Sequence, residues 1–117
     1  MARVLVVDDD PVQTEVRRLV LEHAGHVVAT GVTPAAAREA FNTLDPEIIL
    51  LDLHLPRTDD GVRLIRWFRQ KKDGVKILVM SGNPEDLDGR PELRMVDQVL
   101  PKPMRSAMLL KTISKLA

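Results

Sequence analysis

Residues 4–11 read Val4-Leu5-Val6-Val7-Asp8-Asp9-Asp10-Pro11. Four apolar residues, three of them β-branched, run without a polar break and stop at three carboxylates. A short continuous run of this kind is the pattern of a strand covered on both faces, as in a parallel sheet with helices on either side. A helix start follows directly. Asp10 offers a side-chain cap, and Pro11 suits the first helical position, where no amide donor is needed. The strand pattern returns at residues 48–51 and 77–80, and more weakly at 27–32 and 98–100.

Helical periodicity fills the gaps. Val12, Val16, Leu19, Val20 and His23 recur at three- and four-residue steps, and Gly25 is a natural stop. Thr33-Pro34 opens a second helix with Ala37, Ala40, Phe41 and Leu44 on one face. A third is predicted from about Gly61 to Lys72 through Val62, Ile65, Phe68 and Arg69, and a last from about Met104 to the end through Leu109, Leu110, Ile113 and Leu116. Between Ser81 and Asp97 the pattern weakens. Asn83-Pro84 is a helix start, but Gly89 and Pro91 break it within two turns, so a short or irregular fourth helix is expected. Strand and helix thus alternate five times, which argues for an α/β fold, a doubly wound parallel five-stranded sheet with right-handed crossovers.

Composition narrows the function. The chain has 117 residues, the length of one domain, and no cysteine, so disulfides, thiolate metal sites and cysteine nucleophiles are excluded. Lys+Arg and Asp+Glu both number 17, which disfavours direct contact with nucleic acid. No apolar run approaches the ~20 residues of a membrane helix, and the opening apolar run is too short for a signal peptide, so no membrane role and a cytoplasmic location are expected.

In open α/β sheets ligands bind beyond the carboxyl ends of the strands. Those ends deliver Asp8, Asp9 and Asp10 after the first strand, Asp52 after the third, Ser81-Gly82 after the fourth and Pro101-Lys102-Pro103 after the fifth. Singly, each has an ordinary role: Asp10 caps a helix, Ser81-Gly82 makes a turn, and Lys102 is solvated. Together they form a set. Crowded carboxylates repel one another unless a cation intervenes. Oxygen-only ligands suit Mg²⁺, with Mn²⁺ possible as a substitute. A lysine and a hydroxyl can hold phosphoryl oxygens, and a carboxylate can accept a phosphoryl group.

These motifs, with Ile49-Leu50-Leu51-Asp52-Leu53-His54-Leu55-Pro56, Met80-Ser81-Gly82 and Leu100-Pro101-Lys102-Pro103 in order, resemble the CheY-like receiver domain of two-component response regulators. The resemblance covers residues 1–117 as one receiver domain. It implies a flavodoxin-like (βα)5 fold with strand order 2-1-3-4-5. It implies that Asp52 is the phosphoacceptor, and that Asp8, Asp9, Asp52 and the backbone carbonyl of His54 hold Mg²⁺. Ser81 and Lys102 would contact the phosphoryl group, and the Lys102–Pro103 bond would be cis. The His54 side chain and Asn83 would flank the site, and Asp59-Asp60-Gly61 would match the loop into the third helix. The implied partners are a sensor histidine kinase or histidine phosphotransfer protein and an output protein or effector domain of unknown identity.

Three positions depart from the family pattern: Val99 stands where an aromatic ring is common, Gly89 to Pro91 interrupts the fourth helix, and Met104 replaces a frequent phenylalanine. All three lie on the surface of the fourth helix, fifth strand and last helix, so an altered output surface is expected around an intact phosphorylation site. The expected function is self-catalysed aspartyl phosphorylation and dephosphorylation without turnover of a separate substrate. Two other classes fit less well. A binding module that has shed the chemistry would lack one of the acidic pair, the acceptor or the lysine. A haloacid dehalogenase-type phosphatase needs an aspartate where His54 stands. A stand-alone receiver and a receiver within a longer chain both remain open.

Overall fold

The structure, a computed structural model, describes residues 1–55 and 57–117. Five strands, β1 (Arg3–Val7), β2 (Val27–Gly31), β3 (Ile48–Asp52), β4 (Lys76–Ser81) and β5 (Gln98–Pro101), form one sheet in the order β2-β1-β3-β4-β5. Every neighbouring pair is parallel. Helices α1 (Pro11–His23), α2 (Pro34–Leu44), α3 (Thr58–Lys71) and α4 (Ser106–Leu116) cover its two faces. This is the doubly wound parallel sheet that the runs of apolar residues predict, in the flavodoxin-like strand order that the resemblance implies.

The register sorts each strand's side chains by parity, because successive residues point to opposite faces. Leu5, Val7, Ile49, Leu51, Ile77 and Val79 pack with Ala37 and Phe41 of α2 and Leu64, Ile65 and Phe68 of α3. Val4, Val6, Ile48, Leu50, Leu78 and Met80 pack with Leu21 of α1 and Leu109 and Ile113 of α4. Both faces are therefore apolar, which is why the strands show no alternation. Each fully buried Leu or Ile contributes about 1.5–3 kcal/mol. The few aromatics share one place. Phe41 stacks on Phe68 at 5.3 Å, and Trp67 meets both rings edge-on from the margin of the α3 face.

Helix α1 turns a different face inward from the one its periodicity predicts. Val12, Val16 and Leu19 are 70%, 49% and 54% exposed, while Thr14 and Leu21 are buried. The polar end of the helix decides its rotation. Asp10 caps the amides of Val12 and Gln13, and the Thr14 hydroxyl donates to the carbonyls of Asp8 (3.2 Å) and Asp10 (2.8 Å). Arg17, one turn on, pairs with Asp8. The inward-facing stripe Thr14, Arg17, Leu21 is thus polar where it covers the strand ends and apolar only below them.

Two further differences concern α3 and the segment after β4. Helix α3 begins at Thr58, three residues before Gly61. Asp60 accepts the Arg57 amide at 3.3 Å, and Gly61 lies inside the first turn against the loop that follows β3. A β-carbon on Gly61 would stand 2.0 Å from the Leu53 carbonyl oxygen, so glycine there allows the close approach. The fourth helix of a (βα)5 repeat is replaced by two 3₁₀ turns, Pro84–Leu87 and Pro91–Met95. Gly89, at φ +78°, breaks the chain between them, and Pro91 lacks the amide a continuing helix needs. The second turn is pinned to α3: buried Glu92 pairs with Arg66, and Arg69 donates to the carbonyls of Met95 (3.1 Å) and Val75 (2.7 Å).

Candidate functional site

The strand ends meet along one rim. Parallel pairing places Val7 beside Leu51 and Asp52 beside Met80, so Asp8, Asp52 and Ser81 emerge at nearly the same level. Carboxylate oxygens of Asp8, Asp9 and Asp52 all lie within 4.8 Å of one another. Asp8 and Asp52 are buried and Asp9 is exposed. Asp8, Asp9, Arg17, Asp52, Lys102 and Met104 line a cleft of about 670 Å³ that opens over them.

Each buried carboxylate has its own donors. Asp52 accepts Lys102 Nζ at 2.7 Å on Oδ2 and the His54 amide at 3.2 Å on Oδ1. Asp8 accepts the Asp10 amide at 3.0 Å on Oδ1 and Arg17 Nη1 on Oδ2. Asp9 makes no hydrogen bond or ion pair among the described residues. Burial raises the Asp52 carboxyl above the ordinary aspartate value, and the Asp8 charge adds to this, against the lowering effect of Lys102 and the His54 amide.

Ser81 is buried, and its hydroxyl is closed on its own turn. Oγ donates to the Asn83 carbonyl at 2.9 Å and accepts the Asn83 amide at 3.0 Å. The Ser81 carbonyl accepts the Lys102 amide at 3.0 Å, which ties the ends of β4 and β5 together, and the Lys102–Pro103 peptide is cis. The His54 side chain turns from the carboxylates. Nε2 lies 2.8 Å from Asp86 Oδ2 and Nδ1 lies 2.9 Å from Thr58 Oγ1, so both ring nitrogens have protein partners. His26 is engaged elsewhere, accepting the Ala2 amide at 3.0 Å.

The structure therefore brings together Asp8, Asp9, Asp52 and Lys102, with Ser81 and the His54 amide on the same rim. It adds Arg17, which sequence reasoning passed over. A signal was available: Asp10, Thr14, Arg17 and Leu21 follow one another at steps of four, three and four along a single helix face. The set offers a buried anionic oxygen, oxygen ligands for a hard cation and a lysine ammonium, the parts that phosphoryl transfer to a carboxylate requires.

A family model described as the response regulator receiver domain matches residues 4–114. The chain belongs to this family. Among curated relatives, it is 33% identical over 111 residues to the transcriptional regulatory protein CseB of Streptomyces avermitilis, covering 94% of this chain and 46% of that protein. It is 30% identical over 114 residues to the CpxR homolog of Haemophilus influenzae, covering 97% of this chain and 49% of that protein. The chain thus spans about half the length of these relatives. A CheY-like receiver domain from Methylobacillus flagellatus has the same fold, with a TM-score of 0.85, 26% identity, and 100% and 99% of the two chains covered. The response regulator TrrA of Thermotoga maritima, solved with Mg²⁺-BeF, aligns over 100% of both chains with a TM-score of 0.85 and 24% identity. Several relatives are named as transcriptional or DNA-binding regulators, so neutral charge in this receiver gives no ground for separating it from nucleic-acid function. Among the described residues no helix is long and apolar enough to cross a membrane.

Proposed function

We propose that residues 1–117 form one phosphoacceptor domain of a two-component phosphorelay, which takes a phosphoryl group from a histidine kinase or histidine phosphotransfer protein onto Asp52. The observation that carries this reading is the convergence of three carboxylates, one of them paired at 2.7 Å with a lysine, at the carboxyl ends of a parallel sheet. The three carboxylates suit a hard divalent cation such as Mg²⁺, which Asp8, Asp9, Asp52 and the His54 carbonyl would hold. When bound, the ion supplies charge screening for the transferred phosphoryl oxygens. Mn²⁺ offers the same preference for oxygen ligands.

The chain's own residues carry the rest. One Asp52 oxygen forms a bond to phosphorus as the bond from phosphorus to the donor atom breaks. The Lys102 ammonium moves from the Asp52 carboxylate to a phosphoryl oxygen, so its positive charge follows the negative charge. The Ser81 hydroxyl exchanges the Asn83 carbonyl for another phosphoryl oxygen. That exchange loosens the turn before residues 84–87 and shifts the population of two packings of the segment between β4 and β5. Water later hydrolyses the acyl phosphate. The domain thus acts on itself rather than turning over a separate substrate, and works where its kinase partner presents phosphate, in the cytoplasm. Its output partner binds the surface formed by the two 3₁₀ turns, β5 and α4.

Acetyl phosphate with Mg²⁺ tests the reading. Intact-mass spectrometry is expected to show one added phosphoryl group on the native chain and none on Asp52→Asn. No adduct on the native chain, or an adduct that survives Asp52→Asn, would overturn it.

A further inference from the structure

A crowded carboxylate site is expected to relieve its repulsion by recruiting a dication. Here part of that relief is built in. Arg17 is not on a strand end and belongs to none of the motifs, yet its guanidinium reaches the cleft from the second turn of α1. Its side chain is 15% exposed, and its partner Asp8 is 2% exposed. With Lys102 on Asp52, two cations face the three carboxylates of the cluster, and only the exposed Asp9 is left without a partner among the described residues. Both Asp8 oxygens are engaged, one by the Asp10 amide and the other by Arg17.

We propose that Arg17 is a resident counter-ion that a divalent metal must displace, making Arg17 a positioning residue that sets the metal affinity of the site. The proposal rests on the reading of Asp8, Asp9 and Asp52 as a metal site. A guanidinium and a dication beside the same carboxylate repel each other strongly at the effective dielectric of a partly buried site. Asp8 can turn an oxygen, or an oxygen-bound water, toward the metal only as Arg17 withdraws. The Thr14 hydroxyl bonds to the Asp8 and Asp10 carbonyls do not involve the Asp8 carboxylate, so α1 keeps its rotation while the arginine swings out. In the metal-free protein Arg17 stabilises the buried Asp8 charge. In the metal-bound protein that duty passes to the ion.

Isothermal titration of chelator-stripped protein with MgCl₂ tests this on the native chain, Arg17→Gln, and Arg18→Gln as a control. Arg18 pairs with Glu15 and Glu22 on the outer side of α1, away from the cleft. Arg17→Gln is expected to bind Mg²⁺ roughly tenfold more tightly or better, the effect of removing one like charge beside the ion. Arg18→Gln is expected to match the native chain. Thermal melts supply a second readout. Arg17→Gln should melt lower than the native chain in EDTA and regain the difference in saturating Mg²⁺. Should Arg17→Gln not fold in either condition, the native chain decides, because the assigned Arg17 Nε–H resonance must shift with the same midpoint as Mg²⁺ binding. Native binding with equal or weaker affinity in Arg17→Gln, or an Arg17 resonance that stays fixed while the metal binds, overturns the counter-ion role alone. Absence of Mg²⁺ binding in both native and Arg17→Gln protein overturns the metal-site reading and the counter-ion role together.

Discussion

Lys102 Nζ lies 2.7 Å from Asp52 Oδ2, fifty positions away in sequence. Asp52 is buried and Lys102 is about one-third exposed, so the lysine reaches a sequestered oxygen while keeping water on its far side. Under the proposed function, a charge held this way is aimed at the oxygen that would receive the phosphoryl group. Lys102→Ala is expected to slow phosphorylation of Asp52 by acetyl phosphate roughly 100-fold, the usual cost of deleting one preorganised charge donor. The check is a time course of the phosphorylated fraction by intact mass, with circular dichroism confirming the fold.

The raised Asp52 carboxyl makes stability depend on pH with a definite sign. Its folded pKa lies above the ordinary aspartate value, first through burial and then through the Asp8 charge. Between the unfolded and folded pKa values the folded state binds more protons, so stability falls as pH rises through that window. Above the window the ionised group is a net cost. Asp52→Asn is expected to raise the melting temperature at pH 7, by the equivalent of about 1 kcal/mol. The gain should vanish in acid, below the ordinary aspartate pKa. Melts of both proteins from pH 3 to 7 test this, and a constant difference across the range would contradict it. Acceptor reactivity should fall as pH drops through the same raised pKa.

Gly61 sets the distance between α3 and the loop that follows Asp52. A β-carbon at this position would meet the Leu53 carbonyl oxygen at 2.0 Å, so the helix or the loop must shift. Gly61→Ala is expected to cost about 2 kcal/mol, the scale of overpacking at a close contact. The Leu53 amide is bonded to the Met80 carbonyl at 3.0 Å, so the shift would spread towards β4 and slow phosphorylation as well. Urea midpoints and the acetyl phosphate time course read the two effects separately.

The His54–Asp86 contact joins the loop after β3 to the first 3₁₀ turn, and the Ser81–Asn83 pair joins the end of β4 to the same turn. Val99 packs against the core cluster on the α2 and α3 side and, being valine, has no ring to move, so under the proposed function this turn is the place to look for a conformational response. Amide exchange at residues 82–96 is expected to change when a phosphoryl mimic binds. His54→Ala should speed exchange in residues 84–88 without the mimic, while costing under about 1 kcal/mol of global stability, as partly exposed pairs do. Equal protection of residues 82–96 with and without the mimic would mean that this segment carries no signal.

Much of this was legible in the chain itself. Unbroken aliphatic runs announced strands covered on both faces. Asp10-Pro11 and Thr33-Pro34 announced helix starts, and Gly89 with Pro91 announced the broken segment after β4. The residue types at the strand ends named the chemistry, because a carboxyl end on a parallel sheet is the same kind of place in every strand. Local signals of this sort act within a few residues, where backbone sterics and capping decide the outcome. The rotation of α1 is different. Its apolar stripe of Val12, Val16 and Leu19 has the right period for burial, but period alone does not choose between two faces. The Thr14 hydroxyl, bonded to the Asp8 and Asp10 carbonyls, turns the polar stripe inward, and that rotation carries Arg17 to the Asp8 carboxylate nine residues earlier, beyond the end of β1. The same holds for His54 and Asp86, separated by 32 positions. Which charges meet across a folded sheet depends on where whole elements come to rest, and only tertiary packing settles that.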